Sequence, residues 1–388
     1  MLKIPTKTEY VINRLHQNGF EAYIVGGCVR DMLLNAEPHD FDVTTSAEPQ
    51  EVMSLFEKTV PTGVKHGTVT VLVDSTPIEV TTFRTDGTYT DSRRPDNVVF
   101  VKSLKEDLAR RDFTVNAMAY SHTSGLVDYF GGQEDLKAAL LRAVGEPEKR
   151  FKEDALRILR LFRFASVLNF TFEEKTLAAS LKCSPALEDI SRERILNELS
   201  KAVCGKNVNA LSPLIKCGGL GFLGISKCPD FNVLQKFSEK PFIAFFGFLH
   251  LSGADVIKTL SLLKASNLLK NYCANLLTLL SFSIPKTKSD LKGMLAISSP
   301  EILDDYLLFI SAVSDFDTAH LKIMLNEIIS LNEPYLVSHL KIDGKQLEKL
   351  GYSGKEIGRL LSKLQKAVIK DSSLNSYEKL LEFIKKAP

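Results

Sequence analysis

Hydrophobic and polar positions along this chain follow two different periods, and the change from one to the other divides it. Over residues 6–18 apolar positions recur at helical spacing, with Val11 and Leu15 on one face. Ala22-Tyr23-Ile24-Val25 reads as a short buried strand running into Gly26-Gly27. A helix opening follows through Cys28-Val29-Arg30-Asp31. A strand, a double-glycine turn and a helix start leave backbone N–H groups free to hold phosphate oxygens. The run His39-Asp40-Phe41-Asp42-Val43-Thr44 has period two, which predicts a strand with both carboxylates on the same face. A helix is expected over 49–57 and a turn at Pro61-Thr62-Gly63. Alternation over 67–73 and 78–84, either side of Asp74-Ser75-Thr76-Pro77, predicts a hairpin. Residues 85–95, rich in Gly, Thr, Ser, Asp and Arg, read as a loop. Ser103 with Glu106 three residues on is a capping-box start for a helix reaching Arg110.

Beyond about residue 150 the strand patterns fade. Leu-rich helical runs are separated by breakers at Pro185, Gly218-Gly219, Pro229, Pro241, Pro285, Pro300 and Pro334. The predicted architecture is a small mixed α/β head followed by a long all-helical extension. The 388 residues suffice for two or more domains, and 44% apolar with 25% charged residues is an ordinary globular balance. The net charge of +2 conceals a basic strip, with seven Lys or Arg against four Asp or Glu over 142–163, which suits polyphosphate or nucleic acid. None of the six cysteines falls in a Cys-x-x-Cys pair, so neither a zinc site nor a disulfide framework is expected. Met1-Leu2-Lys3-Ile4-Pro5 is no secretion signal, and the apolar stretch 242–251 is too short to span a bilayer. A reducing cytoplasm is the expected compartment.

Two acidic groups on one face repel unless a cation sits between them. Asp40 and Asp42 are hard oxygen ligands suited to Mg²⁺, and two such ions can clamp the attacking and leaving oxygens of a nucleotidyl transfer. Glu79, on the face shared with Thr81 and Phe83, becomes a third carboxylate if that face meets the Asp40/Asp42 strand; an exposed cross-strand Glu is the alternative. In Arg110-Arg111-Asp112-Phe113-Thr114-Val115-Asn116-Ala117 the adjacent arginines cannot share a helix face, so one is expected in a cleft and the other in solvent. Asp154, Arg157, Arg160 and Arg163 recur every third residue and predict one ridge along a helix. An Asp154–Arg157 surface salt bridge is the simple reading. The functional one is a template for a base edge: the carboxylate accepts from an exocyclic amine while the guanidinium donates to a ring nitrogen. Cytosine and adenine satisfy it; guanine and uracil present a carbonyl where the amine is needed.

These residues resemble those of a known family. The glycine turn with Arg30, the Asp40/Asp42 pair, Lys65-His66-Gly67-Thr68-Val69, the Arg110 to Ala117 run and Glu153-Asp154-x-x-Arg157 are similar to class II tRNA nucleotidyltransferases, the CCA-adding enzymes of the polymerase-β-like superfamily. The resemblance is strong over residues 20–200 and weaker to the C-terminus, where Gly354-Lys355-Glu356-Ile357-Gly358 looks like the family's tail. It implies an α/β nucleotidyltransferase head (1–145), then an elongated all-α neck (146–205), body (206–330) and tail (331–388). It further implies two Mg²⁺ ions on Asp40 and Asp42. Gly26, Gly27, Arg30, Arg111 and Asn116 would bind the triphosphate, and Asp154, Arg157, Arg160 and Arg163 would read and hold the base. The partners implied are CTP, ATP and tRNA, gripped at its acceptor stem and elbow, with a homodimer open. The loop with Arg93-Arg94 argues against a CC-only enzyme. Poly(A) polymerases resemble the head but often carry Pro at the place of Ala155 and lack the Gly63 to Val69 pattern. The only His-Asp pair is His39-Asp40, so no His-Asp phosphohydrolase domain is expected. An A-adding specialist and a catalytically silent RNA-binding protein are the remaining alternatives.

Overall fold

The computed structural model describes residues 2–86, 98–314 and 316–386. The loop expected over 85–95, with Arg93-Arg94, therefore lies for the most part outside the described residues. The chain divides into two compact units, Met1–Phe231 with Ser252–Ala254, and Asn232–Leu251 with Asp255–Pro388.

The first unit holds a seven-stranded mixed sheet of order β3-β4-β5-β2-β1-β8-β9. Its strands are β1 (Ala22–Val25), β2 (Val43–Thr45), β3 (Thr59–Gly63), β4 (Thr68–Val73), β5 (Thr76–Thr82), β8 (Met118–Ser121) and β9 (Gly125–Asp128). A separate two-stranded ribbon joins β6 (Arg84–Asp86) to β7 (Val98–Phe100). Helix α1 (Thr6–Gln17) precedes β1, and α2 (Gly27–Leu33), α3 (Pro49–Leu55) and α4 (Leu104–Ala109) lie between β1 and β8 in chain order. Valines fill the rear of the sheet: Val43, Val69, Val71 and Val80 are almost wholly buried, as are Val11, Ile12 and Leu15 of α1 and Val52 of α3. On the front, Tyr23, Val25 and Ala119 pack with Phe83 and with Leu104 and Leu108 of α4. Asp74 and Ser75 both have positive φ, which gives the β4–β5 hairpin its two-residue turn.

Three local expectations need correction. Pro61-Thr62-Gly63 is not a turn but the second half of edge strand β3, where a proline's missing N–H faces no ladder; the register shifts between Val60 and Gly63. The strand expected through Asp40 and Asp42 begins only at Val43, so both carboxylates sit in the segment entering β2. Ser103 does cap α4 by position, but makes no side-chain capping bond. The residue the first turn draws inward is Asp107 rather than Glu106, because the Thr44 hydroxyl and the Arg84 amide donate to it.

After the sheet come α5 (Gly132–Lys137), α6 (Pro147–Glu153), α7 (Leu156–Leu168), α8 (Glu174–Cys183) and α9 (Arg192–Ala202). The second unit is helical, with no strand among its described residues. Its helix Pro241–Leu251 buries Phe245, Phe246 and Phe248, which explains its apolar run. Among the described residues no single helix is long and apolar enough to cross a membrane. All six cysteines are free thiols.

Candidate active site

A cleft of about 720 Å³ on the front of the first unit gathers almost every residue singled out in the sequence: Gly26, Gly27, Arg30, Asp40, Asp42, Arg111, Asn116, Asp154, Arg157, Arg160 and Arg163 all line it. Gly26 ends β1 with φ +82°, a region costly for any residue bearing a Cβ. A Cβ there would also stand 2.8 Å from Nη1 of Arg111. The glycine is thus required twice, by backbone conformation and by the guanidinium pressed against it.

Arg30, in the last turn of the short α2, donates from Nη1 to Oδ1 of Asn116 at 2.6 Å and from Nε to Asp31 at 2.8 Å. Asn116 donates to Oδ1 of Asp112 at 3.1 Å, and Arg160 donates from Nε to Oδ2 of Asp112 at 2.7 Å. Burial pushes the Asp112 carboxyl up, but Arg160 and the Asn116 bond outweigh it and hold it at about 2. The guanidiniums of Arg30, Arg160 and Arg163 all lie over the Phe164 ring, at 5.1, 5.3 and 3.9 Å from its centroid. Arg163 also contacts Glu198 of α9.

The adjacent arginines do not split between cleft and solvent as expected. Arg110 and Arg111 both face the cleft, because the buried Asp107 takes both, at 2.9 and 3.6 Å. Burial pushes that carboxyl up, yet Arg110 and Arg111 leave it below the usual carboxylate range.

The predicted four-residue ridge is also broken. Asp154 has extended backbone between α6 and α7, and its Oδ1 accepts from the Leu156 N–H at 3.0 Å. A short polar side chain that bonds its own downstream amide competes with helix continuation, which is why the helix restarts there. Asp154 pairs with Arg194 of α9 at 2.7 Å. Arg157 donates to Glu153 at 2.7 Å and to the carbonyl oxygens of Arg150 and Arg110, both at 3.0 Å. The residues remain in one cleft although they do not share one helix.

Asp40 and Asp42 form the acidic floor. Burial, then the charge of Asp40, then Glu79 raise the Asp42 carboxyl, against a lowering from Arg111. Glu79 is exposed on β5, outside the cleft lining but close enough to act on Asp42; the pairing of Val43 with Val80 sets position 42 beside 79. Among the described residues no three His, Cys, Asp or Glu side chains form a ready-made metal cage. The donor set nevertheless fits Mg²⁺, which binds through one or two carboxylates and completes its shell with water and substrate phosphates. A cation between Asp40 and Asp42 would relieve the charge of Asp40 on its buried neighbour.

Sequence reasoning missed Asp107, Asp112, Phe164, Arg194 and Glu198 as organisers of the site. Asp107 was open to detection, at three and four residues before Arg110 and Arg111.

Residues 22–142 match the poly A polymerase head domain family, and residues 169–222 match the family described as the probable RNA and SrmB-binding site of polymerase A. The chain is 39% identical to a CCA-adding enzyme of Enterococcus faecalis, over 97% of this chain and 94% of that one. It is 38% identical to a CCA-adding enzyme of Lactococcus lactis, over 97% and 95%. The crystal structure of the Bacillus stearothermophilus CCA-adding enzyme in complex with CTP superposes with a TM-score of 0.84 at 31% identity, covering 98% of this chain and 97% of that one. Likeness to these relatives over nearly their whole length, in sequence and in the sheet-and-helix frame alike, places this chain in the family of CCA-adding enzymes.

Proposed function

We propose that this chain adds C, C and A to the 3′ end of tRNA from CTP and ATP without a nucleic-acid template, with the cleft over β1 and β2 as its reaction centre. One observation carries the assignment of the centre. Of the five aspartates lining the cleft, Asp31, Asp112 and Asp154 are ion-paired, and among the described residues Asp40 and Asp42 are not. They are the carboxylates held ready for a cation. Mg²⁺ bound by them supplies Lewis-acid polarisation of phosphate oxygens and a lowered pKa for the attacking ribose hydroxyl.

The chain's own residues do the rest. Arg30 and Arg111, beside the Gly26-Gly27 turn, bind triphosphate oxygens, and Asn116 fixes the plane of Arg30. They hold the α-phosphate still and stabilise departing pyrophosphate, so the step gains from positioning and fixed charge. Asp154, anchored by Arg194 and the Leu156 amide, accepts from an exocyclic amine; each carboxylate oxygen has a second lone pair for that purpose. Arg157, held by Glu153 and two carbonyl oxygens, supplies the donor to the ring nitrogen. Arg160 and Arg163, braced by Asp112 and Glu198, keep that wall rigid. Residues 146–205 act as the base-reading neck. Glu79 assists at Asp42 rather than within the cleft. Six free thiols suit the reducing cytoplasm proposed as its compartment.

The test is extension of transcripts ending before CCA, after C and after CC, with CTP, ATP or both, read at single-nucleotide resolution. Two Cs and one A on the shortest transcript support the reading. Addition of A only to the CC-ended transcript, or long A tails, overturns it in favour of an A-adding specialist or a poly(A) polymerase.

A further inference from the structure

The front face of β3, β4 and β5 carries chemistry that the nucleotide cleft does not use. Paired positions put Thr68 opposite Thr81 and Thr70 opposite Glu79 on one side of the sheet, while Val69, Val71, Ile78 and Val80 are buried on the other. The hydroxyls are paired across strands: Thr62 with Thr70 at 2.9 Å, and Thr68 with Thr81 at 3.1 Å. Thr44 donates to the Thr81 carbonyl oxygen at 3.2 Å, which joins this row to the strand entered by Asp42. Thr62 and Glu79 are exposed, and Thr68 and Thr81 half-buried. In each pair one hydroxyl donates to the other, which leaves a second hydroxyl hydrogen and lone pairs on both oxygens.

The sheet order gives this face its meaning. Asp42 enters β2, in the middle of the order β3-β4-β5-β2-β1-β8-β9. The phosphate-binding groups all stand on the β1 and β8 side: Gly26 and Arg30 follow β1, and Arg111 and Asn116 precede β8. Displacement at an α-phosphate is in line, so the attacking hydroxyl arrives from the side opposite the leaving pyrophosphate. With pyrophosphate over β1 and β8, the primer end must lie over β5 and β4. That surface is lined with hydroxyls, the donor and acceptor type that sugar and phosphate oxygens take up without fixing sequence, and the one charged side chain among its paired positions, Glu79, stands beside Asp42. A primer whose last nucleotide changes from one addition to the next requires such tolerance.

We propose that Thr62, Thr68 and Thr81, with the buried Thr70 backing Thr62, form the subsite that receives the sugar–phosphate of the 3′-terminal nucleotides of the RNA primer; this rests on Asp40 and Asp42 being the reaction centre. Thr62→Val and Thr81→Val, singly and together, keep the β-branched shape while removing the hydroxyls. Each is expected to raise the KM for a CC-ended transcript about three- to tenfold, from the net value of one hydrogen bond, and the double variant more. The KM for ATP should stay within about twofold. A purely structural role would instead lower kcat and raise both KM values together. A second measurement needs no turnover: a tRNA transcript ending in 4-thiouridine is irradiated on the wild-type enzyme and on Asp40→Ala, and crosslinked peptides are mapped. Crosslinks in residues 59–84 on both proteins support the subsite. Crosslinks confined to residues 110–116 and 153–164, or ATP and primer KM values that rise alike, overturn it. If Asp40→Ala still transfers nucleotide while the crosslinks stay on 59–84, the reaction centre is misassigned and the RNA site stands.

Discussion

Asp112→Asn removes one negative charge from the point where two arginine-bearing elements meet. Its carboxylate takes two N–H groups of Arg160, one of Asn116 and the amide of Phe113. Two routes give the magnitude. The fall from the ordinary 3.8 to about 2 corresponds, at about 1.4 kcal/mol per pKa unit, to about 2.5 kcal/mol of stability at neutral pH. Breaking a buried pair costs about 3–5 kcal/mol, and the Arg160 side chain is 34% exposed, which brings that figure down to about 2–3 kcal/mol. The sign is fixed by the direction of the shift. A carboxyl depressed in the folded state contributes fully above its unfolded pKa and loses that contribution as pH falls through its folded value. Urea unfolding of both proteins from pH 7 down to pH 3 should therefore show a gap of about 2–3 kcal/mol at pH 7, with about half remaining at pH 3. The KM for ATP and CTP should also rise, because Asn116 and through it Arg30 lose their anchor. A gap of the same size at pH 3 and pH 7 would refute the assignment of the stabilisation to the Asp112 charge.

Gly26→Ala meets both the φ of +82° and an Arg111 nitrogen 2.8 Å from the new methyl; triphosphate KM or kcat should worsen at least tenfold, with melting lowered by about 1–2 kcal/mol in stability. Asp40→Asn and Asp42→Asn should each reduce transfer by more than about a thousandfold while leaving tRNA retention on a filter within about threefold. Arg194→Met frees Asp154 from its ion pair; incorporation of UTP and GTP relative to CTP and ATP should rise about tenfold, and Arg194→Lys should recover part of the selectivity. Between 50 and 200 mM salt the KM for tRNA should climb at least tenfold, whereas a flat profile would show that phosphate contacts do not dominate its binding.

The head was legible because its signals are local. Val25-Gly26-Gly27 and the hairpin around Asp74-Ser75-Thr76-Pro77 each announce themselves within a few residues; the structure keeps both, with the hairpin turn narrowed to Asp74-Ser75 because Thr76 and Pro77 already belong to β5. What failed was judgement about neighbours in space. Pro61 and Gly63 read as a turn because nothing local reveals that β3 is the sheet's edge, where proline is tolerated. The spacing of Asp154 with three arginines suggested one ridge, yet Asp154 ends a helix by taking the Leu156 amide. The partners that fix the site lie far along the chain: Arg194 is 40 residues from Asp154, Glu198 is 35 from Arg163, and Asp112 is 48 from Arg160. Helical periodicity extends over a few turns only, so pairs at those separations become visible once α7 and α9 are packed together.

Those distant pairs also explain how a cleft with so many arginines holds its shape. Arg30, Arg110, Arg111, Arg157, Arg160, Arg163 and Arg194 line one cavity, and bare guanidiniums at that density would repel and sample many rotamers. Each instead has a carboxylate: Asp31, Asp107 for two of them, Glu153, Asp112, Glu198 and Asp154. The carboxylates come from at least five separate segments, so the guanidinium planes are fixed from several directions, and Phe164 adds a common face beneath three of them. Little net positive charge is left to attract a triphosphate from a distance. In the proposed function the nucleotide is met by donors already aimed, and the cost of ordering them falls in folding rather than in binding. The same pairing sets the exceptions apart: where every arginine of the cleft has been matched, the neighbouring Asp40 and Asp42 have no such partner among the described residues, and that contrast is the ground on which a cation is proposed there.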